Sequence, residues 1–177
     1  MSAPLVVAFV PGVTPDKWER VWRERMRRHP LELRALEQPA ALDALRDGSA
    51  HLAFLRDVGR DDEFHAIPLY REQPVVVAPK DSPVAAFDEL VLADLAGEPL
   101  VEGYEPAMTL ELVAAGTGLA VLPMSLARLH ARKDVVARPV ADAADTGIAL
   151  VWPVERAHEL ADAFIGVVRG RTPNSSR

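Results

Sequence analysis

The sequence predicts an α/β fold, and three observations lead to this prediction. Apolar runs typical of buried parallel strands alternate with apolar stripes at helical spacing. The segments between them are short, which favours parallel strands joined by right-handed crossovers. The chain has 177 residues, 49% hydrophobic and 26% charged, and no cysteine. A chain of this length buries a core large enough to fold without disulfides or a structural metal.

The first strand and the first helix are predicted from the start of the chain. Residues 5–10 form a continuous apolar run, as expected of a buried strand. Thr14 is a favourable N-cap and Pro15 suits the first helical position. One apolar stripe follows on Trp18, Val21, Trp22 and Met26, and His29-Pro30 ends the helix.

Two further strands flank a second short helix. Residues 31–36 alternate between apolar and polar side chains and predict a strand. Pro39 opens a helix that Gly48 closes, and residues 51–55 predict the third strand. The order β-α-β-α-β predicts three parallel strands.

The second half of the chain predicts shorter elements. Pro68 and Pro74 favour two short strands over one long strand between residues 64 and 79. The later predictions are a helix near residues 90–95, strands at 100–101, 119–122, from 135 and at 148–152, helices at 108–115, 123–131 and 155–168, and a frayed basic tail at 169–177.

Five segments in order resemble the effector-binding domain of LysR-type transcription regulators. Residues 113–123, V-A-A-G-T-G-L-A-V-L-P, are similar to the family's V-A-x-G-x-G-I-x-x-L-P, and residues 45–56 are similar to its L-x-x-G-x-x-D-L-A-I-x-R. Residues 28–33, 64–79 and 81–100 resemble three more of its motifs. Together the segments carry the resemblance across most of the chain.

The resemblance implies a fold like that of the type 2 periplasmic binding proteins, with two Rossmann-like lobes and a ligand cleft. Lobe I would comprise residues 1–77 and 147–177, and lobe II residues 78–146. Only thirteen positions separate Leu100 from Val113. The family has a longer segment there, so lobe II is expected to be shortened. No helix-turn-helix precedes Leu5, so DNA binding is not carried over, and we expect no direct nucleic-acid binding.

The candidate ligand-binding residues follow predicted strands. Pro11, Gly12, Val13 and Thr14 join a strand to a helix N-terminus, where free N–H groups and the helix dipole favour anions. The other candidates are Gln38 after the second strand, Arg56 and Asp57 after the third, and Glu102, Gly103 and Thr117 in lobe II.

Structural roles remain the alternative at each of these positions. The first loop is equally explained as a capped turn without ligand, and Gln38 as a helix-capping residue. Arg56 is equally explained as an ion-pair partner of Asp57 or Glu37. The glycines around Thr117 are explained by a helix stop and a tight turn.

Several classes of function are disfavoured. The five histidines show no metal-binding spacing, and no nucleotide-binding motif or nucleophile elbow is present. We therefore expect no metal, no cofactor and no enzymatic activity. The N-terminus is unlike a signal peptide, and no apolar run is long enough to span a membrane, so a cytoplasmic location is expected. The net charge of −6 argues against nucleic-acid binding.

The leading hypothesis is the small-molecule effector-binding module of a LysR-type regulator, which senses a small organic effector such as a carboxylate and forms a homodimer. The alternative is a stand-alone solute-binding or decoy protein that associates with a full-length regulator. A third hypothesis is an enzyme on the same fold. The sequence alone does not name the effector.

Overall fold

A computed structural model describes residues 3–170, which form eight strands, five α-helices and two short 3-10 helices. Most of the predicted tail, residues 171–177, lies outside the described residues. In chain order the elements are β1 (Leu5–Phe9), α1 (Asp16–Arg25), β2 (Leu31–Ala35), α2 (Gln38–Asp47), β3 (Leu52–Arg56), β4 (Phe64–Glu72), β5 (Pro74–Pro79), 3-10 helices Pro83–Ala86 and Leu92–Leu95, α3 (Pro106–Ala114), β6 (Ala120–Pro123), α4 (Met124–Leu129), β7 (Val135–Pro139), β8 (Thr146–Pro153) and α5 (Ala161–Val168).

The described chain divides into two compact units. Unit 1 contains residues 3–70 and 147–170, and unit 2 is Arg71–Thr146. The chain therefore enters the second unit at Arg71 and not at residue 78, where the sequence analysis placed the start of lobe II. The physical reason is that β5 is the central strand of the unit 2 sheet, paired with both β6 and β7.

Unit 1 is built on a five-stranded sheet in the order β2-β1-β3-β8-β4. β1 is parallel to β2 and to β3, which confirms the predicted β-α-β-α-β arrangement. β8 returns from the far end of the chain and pairs antiparallel with β3. The apolar runs of β1 and β3 are explained by this position, because both are interior strands of the sheet.

The core of unit 1 is centred on aromatic side chains from α1, β3 and α5. The Trp18 ring stacks on Phe54 with centroids 4.6 Å apart, and Trp22 and Phe54 each contact Phe164. Trp22, Phe54 and Phe164 are at most 1% exposed. The predicted stripe of α1 therefore faces the core, and its Trp residues are structural.

Unit 2 has a three-stranded sheet in the order β6-β5-β7, with β5 antiparallel to both neighbours. Single bridges extend it at both edges, Leu100 beside Leu119 and Leu90 beside Val140. Alternate residues of β5 enter two separate apolar clusters, with Val75 and Val77 in one and Val76 and Ala78 in the other. Both faces of this small sheet are therefore used for packing.

Gly48 ends α2 as predicted, in a left-handed conformation with φ of 81°. The prediction for Thr14 was wrong: it does not cap α1, the N-cap position is Pro15, and no side chain caps the helix. Residues 64–79 form two strands, β4 and β5, as predicted. β4 is longer than expected, because its nine residues include Pro68, which is tolerated since β4 is the edge strand.

Two helix predictions also need correction. The helix predicted near residues 90–95 begins only at Leu92, as a 3-10 helix, because the Leu90 backbone pairs with the chain at the end of β7. The last helix begins at Ala161, not at residue 155. Just before Ala161, His158 Nδ1 accepts a hydrogen bond from the Leu160 N–H at 3.1 Å. Such a local side-chain bond competes with the backbone bonds of an earlier helix start.

Candidate functional site

The carboxyl ends of three parallel strands lie at one edge of the unit 1 sheet. β1 pairs with both of its neighbours so that Phe9 lies beside Ala35 and Phe54. The Leu36 N–H donates to the Phe9 carbonyl at 3.1 Å, and the Val10 N–H donates to the Phe54 carbonyl at 3.2 Å. The loops after β1, β2 and β3 therefore start side by side.

The strand order gives this edge a position that favours ligand binding. The chain leaves β1 for β2 on one side and returns to β3 on the other, which makes a topological switch point between β1 and β3. Open α/β sheets bind ligands at the carboxyl ends of strands beside such a point. The loop 11–14 and the pair Arg56-Asp57 follow the two strands that flank it.

The loop after β1 is a tight turn that leads into α1. Gly12 has a φ of 90°, a conformation that residues with a Cβ rarely adopt. The Val13 N–H donates to the Val10 carbonyl at 3.2 Å, and the Val13 side chain is buried. Thr14 is exposed. No side chain caps α1. The Trp18 and Glu19 N–H groups donate to the Pro15 carbonyl, so the backbone donors that a cap would satisfy are those of Asp16 and Lys17.

Gln38 fastens the start of α2 to the end of β3. Its Nε2 donates to the Arg56 carbonyl at 2.8 Å, and its Oε1 accepts from the Arg56 N–H, also at 2.8 Å. The amide was predicted to contact a ligand, with a helix-capping role as the alternative. The structure gives it a third role, because both of its polar atoms hold the backbone of Arg56.

Asp57 links the end of β3 to the start of β8 through two hydrogen bonds to Gly147. It is the one non-glycine residue with a positive φ in the described chain, at 50°. Its N–H donates to the Gly147 carbonyl at 2.8 Å, and its Oδ1 accepts from the Gly147 N–H at 2.8 Å. The carboxylate therefore has a clear structural function, which also explains why an aspartate follows Arg56.

Arg56 combines a fixed backbone with a charged, partly exposed side chain. Its N–H and carbonyl are both bonded to Gln38, and it lies opposite Ile148 in the sheet. A guanidinium stays charged at neutral pH and matches a carboxylate with two parallel N–H donors. The edge therefore offers two features suited to an anion, the paired N–H donors of the Arg56 guanidinium and the uncapped start of α1.

The candidates in unit 2 do not form one group. Leu100 and Leu119 are parallel neighbours, so Glu102 and Gly103 follow the carboxyl end of this pair, whereas Thr117 precedes its amino end. The offset corresponds to roughly 13 Å along the strands at about 3.3 Å per residue. Thr117 lies in the turn that ends α3, where its N–H donates to the Leu112 carbonyl at 3.1 Å.

Gly147 is a residue of this edge that sequence reasoning missed. It is bonded twice to Asp57, yet ninety positions separate the two in the chain. No local pattern signals such a pair. A long-range turn partner is found only once β8 is placed beside β3.

Among residues 3–170, no group of three or more potential metal-ligating side chains occurs. No helix in this part of the chain has the length and apolar character needed to cross a membrane.

The model of the LysR substrate binding domain family matches residues 2–109 and 101–173. No curated protein matches the chain in sequence. Solved structures of the same fold include the BenM effector-binding domain with its effector benzoate, at 18% identity and a TM-score of 0.77, over 94% of this chain and 90% of that one.

Two further solved structures are similar. One is an OxyR mutant from Corynebacterium glutamicum with hydrogen peroxide bound, at 20% identity and a TM-score of 0.75, over 96% of this chain and 67% of that one. The other is full-length CbnR complexed with its target DNA, at 16% identity and a TM-score of 0.75, over 94% of this chain and 70% of that one. At these identities the likeness shows a common fold.

Proposed function

The chain belongs to the LysR substrate-binding domain family, and from this premise we propose that it is a non-enzymatic sensor of a small organic anion. The observation that carries the proposal is Arg56, held through its backbone by Gln38 at the β1/β3 switch point. The ligand carboxylate would bind the Arg56 guanidinium and the amino-terminal turn of α1.

A carboxylate suits this edge for two physical reasons. Arg binds carboxylates with two parallel hydrogen bonds, which fixes orientation as well as charge. The start of α1 adds backbone donors and the positive end of the helix dipole. The solved BenM domain holds benzoate, an aromatic carboxylate, which makes benzoate a reasonable first probe for this chain.

Sensing requires that the ligand distinguishes two conformations. A ligand shifts a conformational equilibrium only by the difference between its affinities for the two states. We propose that the anion favours one arrangement of the strand-end loops and thereby changes a surface that other chains contact. We further propose that the chain acts in the cytoplasm as a homodimer and leaves DNA contacts to other protein segments.

The first experiment is a thermal-shift titration with benzoate and a series of aliphatic carboxylates. A ligand at 100 times its Kd adds about 2.7 kcal/mol to the free energy of unfolding. We expect Arg56→Ala to abolish that shift, measured from the variant's own unliganded Tm, and to keep the fold, because Gln38 bonds the Arg56 backbone, which the substitution retains. Arg56→Lys should retain part of the shift, because lysine keeps the positive charge but lacks the two parallel N–H donors of the guanidinium.

The matched control is Arg60→Ala, which removes an exposed arginine from the loop before β4. It should bind as the unchanged chain does. An Arg56→Ala variant that keeps the full ligand shift would remove the strand-end site from consideration. Turnover of a bound ligand, tested by mass spectrometry of the recovered compound, would overturn the non-enzymatic part of the proposal.

A further inference from the structure

Unit 2 contains an apolar cavity that the proposed sensing site does not use. Its volume is about 260 Å³, and ten of its twelve lining residues are apolar. Val77 on β5 and Ala137 on β7 are direct neighbours across the sheet and both line it, as do Leu110 of α3 and Met124 of α4. The cavity therefore lies between one face of the sheet and two helices.

Small side chains keep this space open. Ala127, Ala131 and Ala137 line the cavity, and each presents only a methyl group. Ala131 and Ala137 are exposed, whereas Ala127 is 6% exposed. The open side of the cavity is thus at the end of α4 and at the edge strand β7, and its floor is the buried part of the unit 2 core.

Two arginines stand where the cavity meets solvent. Arg128, in the last turn of α4, and Arg132 are its only polar lining residues, and both are exposed. Arg132 forms two hydrogen bonds with Asp134, at 2.9 and 3.1 Å. The Arg128 guanidinium has no hydrogen-bond or ion-pair partner within residues 3–170. The arrangement is an apolar cavity with an uncompensated cation at its mouth.

From this arrangement we propose a second ligand site in unit 2, for a small amphiphilic carboxylate whose apolar body fills the cavity and whose carboxylate binds Arg128. The charge pattern selects the anion, because an unpaired guanidinium at the rim of an apolar space pairs best with a carboxylate. The site is independent of the strand-end site of unit 1, since none of its lining residues belongs to that unit.

The volume limits the size of the ligand. Pockets for drug-sized ligands are typically about 300–1,000 Å³, so a cavity of 260 Å³ is small. It has room for roughly nine waters at about 30 Å³ each. A monocarboxylate of about eight carbons therefore fits, and octanoate is the probe that we choose.

The chain offers a direct probe of this cavity. It has four methionines, of which Met124 lines the cavity, Met108 is an exposed residue of α3 and Met26 belongs to unit 1. In the full chain labelled with 13Cε-methionine, octanoate should shift the Met124 methyl resonance in a saturable manner. The Met26 resonance should stay in place, and Arg56→Ala should leave the Met124 shift unchanged.

Three variants separate the apolar and charged parts of the site. Ala137→Phe should fill the cavity and abolish the Met124 shift, with Ala131→Leu as a second cavity-filling change should the first not fold. Val121→Phe, on the other edge strand β6, is the matched control and should bind normally. Arg128→Ala should weaken octanoate binding by up to about fivefold, the effect of losing an exposed ion pair, and should leave the binding of 1-octanol unchanged.

Four results would overturn the proposal. The first is a Met124 resonance that does not move at octanoate concentrations up to about 10 mM, on the order of the weakest measurable affinities. The second is unchanged octanoate binding by folded Ala137→Phe or Ala131→Leu, and the third is an equal loss of octanoate and octanol binding in Arg128→Ala. The fourth is a Met124 resonance that moves with protein concentration alone. The last result would show that a second copy covers the cavity.

Discussion

Arg56 is held at the sheet edge by a neighbour that touches only its backbone. Gln38 uses both polar atoms of its amide for this purpose, and Asp57 uses its carboxylate in the same way on Gly147. Gln38 therefore fixes the Arg56 backbone through bonds that do not involve the guanidinium. We propose that ligand binding depends on the Arg56 guanidinium, whereas Gln38 and Asp57 hold the backbone on either side of it.

Removing the Gln38 amide tests this division. Gln38→Ala should lower the free energy of unfolding by about 1–2 kcal/mol, because two partly buried hydrogen bonds are lost at about 1 kcal/mol each. It should also weaken ligand binding by displacing Arg56. Urea unfolding and the carboxylate titration measure the two effects. Gln73→Ala, which removes an exposed amide in unit 2, should change neither.

His51 gives unit 1 a pH dependence. Burial, and secondarily the nearby His158, lower the pKa of His51 below its ordinary value of 6.5. The two rings lie 4.2 Å apart, and His51 Nδ1 accepts the Val6 N–H at 2.9 Å. As the pH falls below about 6.5, the unfolded chain binds a proton first, so the stabilisation is present above that pH and is lost towards the lower folded pKa.

We therefore expect the free energy of unfolding to fall between pH 7 and pH 5, and to fall less steeply in His51→Gln. The glutamine has no titrating group and can still offer an oxygen to the Val6 N–H. His130→Gln, in unit 2, is the control and should keep the slope of the unchanged chain. An identical slope in His51→Gln would assign the pH dependence to other groups.

Among the elements, those of the first half of the chain were predicted best. β1, α1, β2, α2 and β3 have strong apolar periodicity and proline or glycine at their ends. The edge position of β4, which tolerates Pro68, and the late start of α5 depend on contacts that are distant in sequence. Local patterns therefore predict the first five elements, whereas the length of β4 and the start of α5 depend on tertiary contacts.

The same distinction applies to the candidate site. Pro11–Thr14, Gln38 and Arg56-Asp57 were predicted from the ends of the first three strands and from the family resemblance, and they follow one sheet edge because parallel strands align their carboxyl ends. The partners of Gln38 and Asp57 were not predicted, since both bonds depend on how neighbouring segments pack. Thr117 lies in the predicted turn, but it precedes its strand, whereas Glu102 follows the neighbouring one.

The end of α2 depends on the left-handed conformation of Gly48. Gly48→Ala should cost about 1 kcal/mol, because a Cβ is strained at a φ of 81°. The new methyl would lie 3.7 Å from Arg156, so sterics add little. Gly166→Ala inside α5, with nothing within 4 Å of the new Cβ, should instead stabilise the chain by up to about 1 kcal/mol. Equal effects in urea unfolding would contradict this account.

For the molecule as a whole, charge is divided unevenly. Arg71–Thr146 contains twelve acidic and six basic residues, whereas the rest of the chain contains fourteen of each. The whole net charge of −6 is thus carried by unit 2. Pairing of two copies through unit 2 against unit 2 would bring like charges together, which is unfavourable at low salt. Pairing of unit 1 against the partner's unit 2 avoids this.

We expect the proposed homodimer to use the second arrangement. Its Kd should then stay constant or rise between about 50 and 500 mM NaCl, a range over which the Debye length falls severalfold. Sedimentation velocity at several protein concentrations measures this. A dimer that tightens with added salt would indicate pairing through the acidic units, and a monomer at all concentrations would reject the homodimer.

The placement of β8 has a consequence for the newly made chain on the ribosome. β8 lies between β3 and β4 in the unit 1 sheet, yet it is synthesised after all of unit 2. Until it emerges, the apolar strand β3 has an unpaired edge, the kind of surface that joins other nascent chains. Unit 2 is contiguous and can complete itself first. Chaperone dependence and misassembly should therefore concentrate in the interval before residue 153 leaves the exit tunnel.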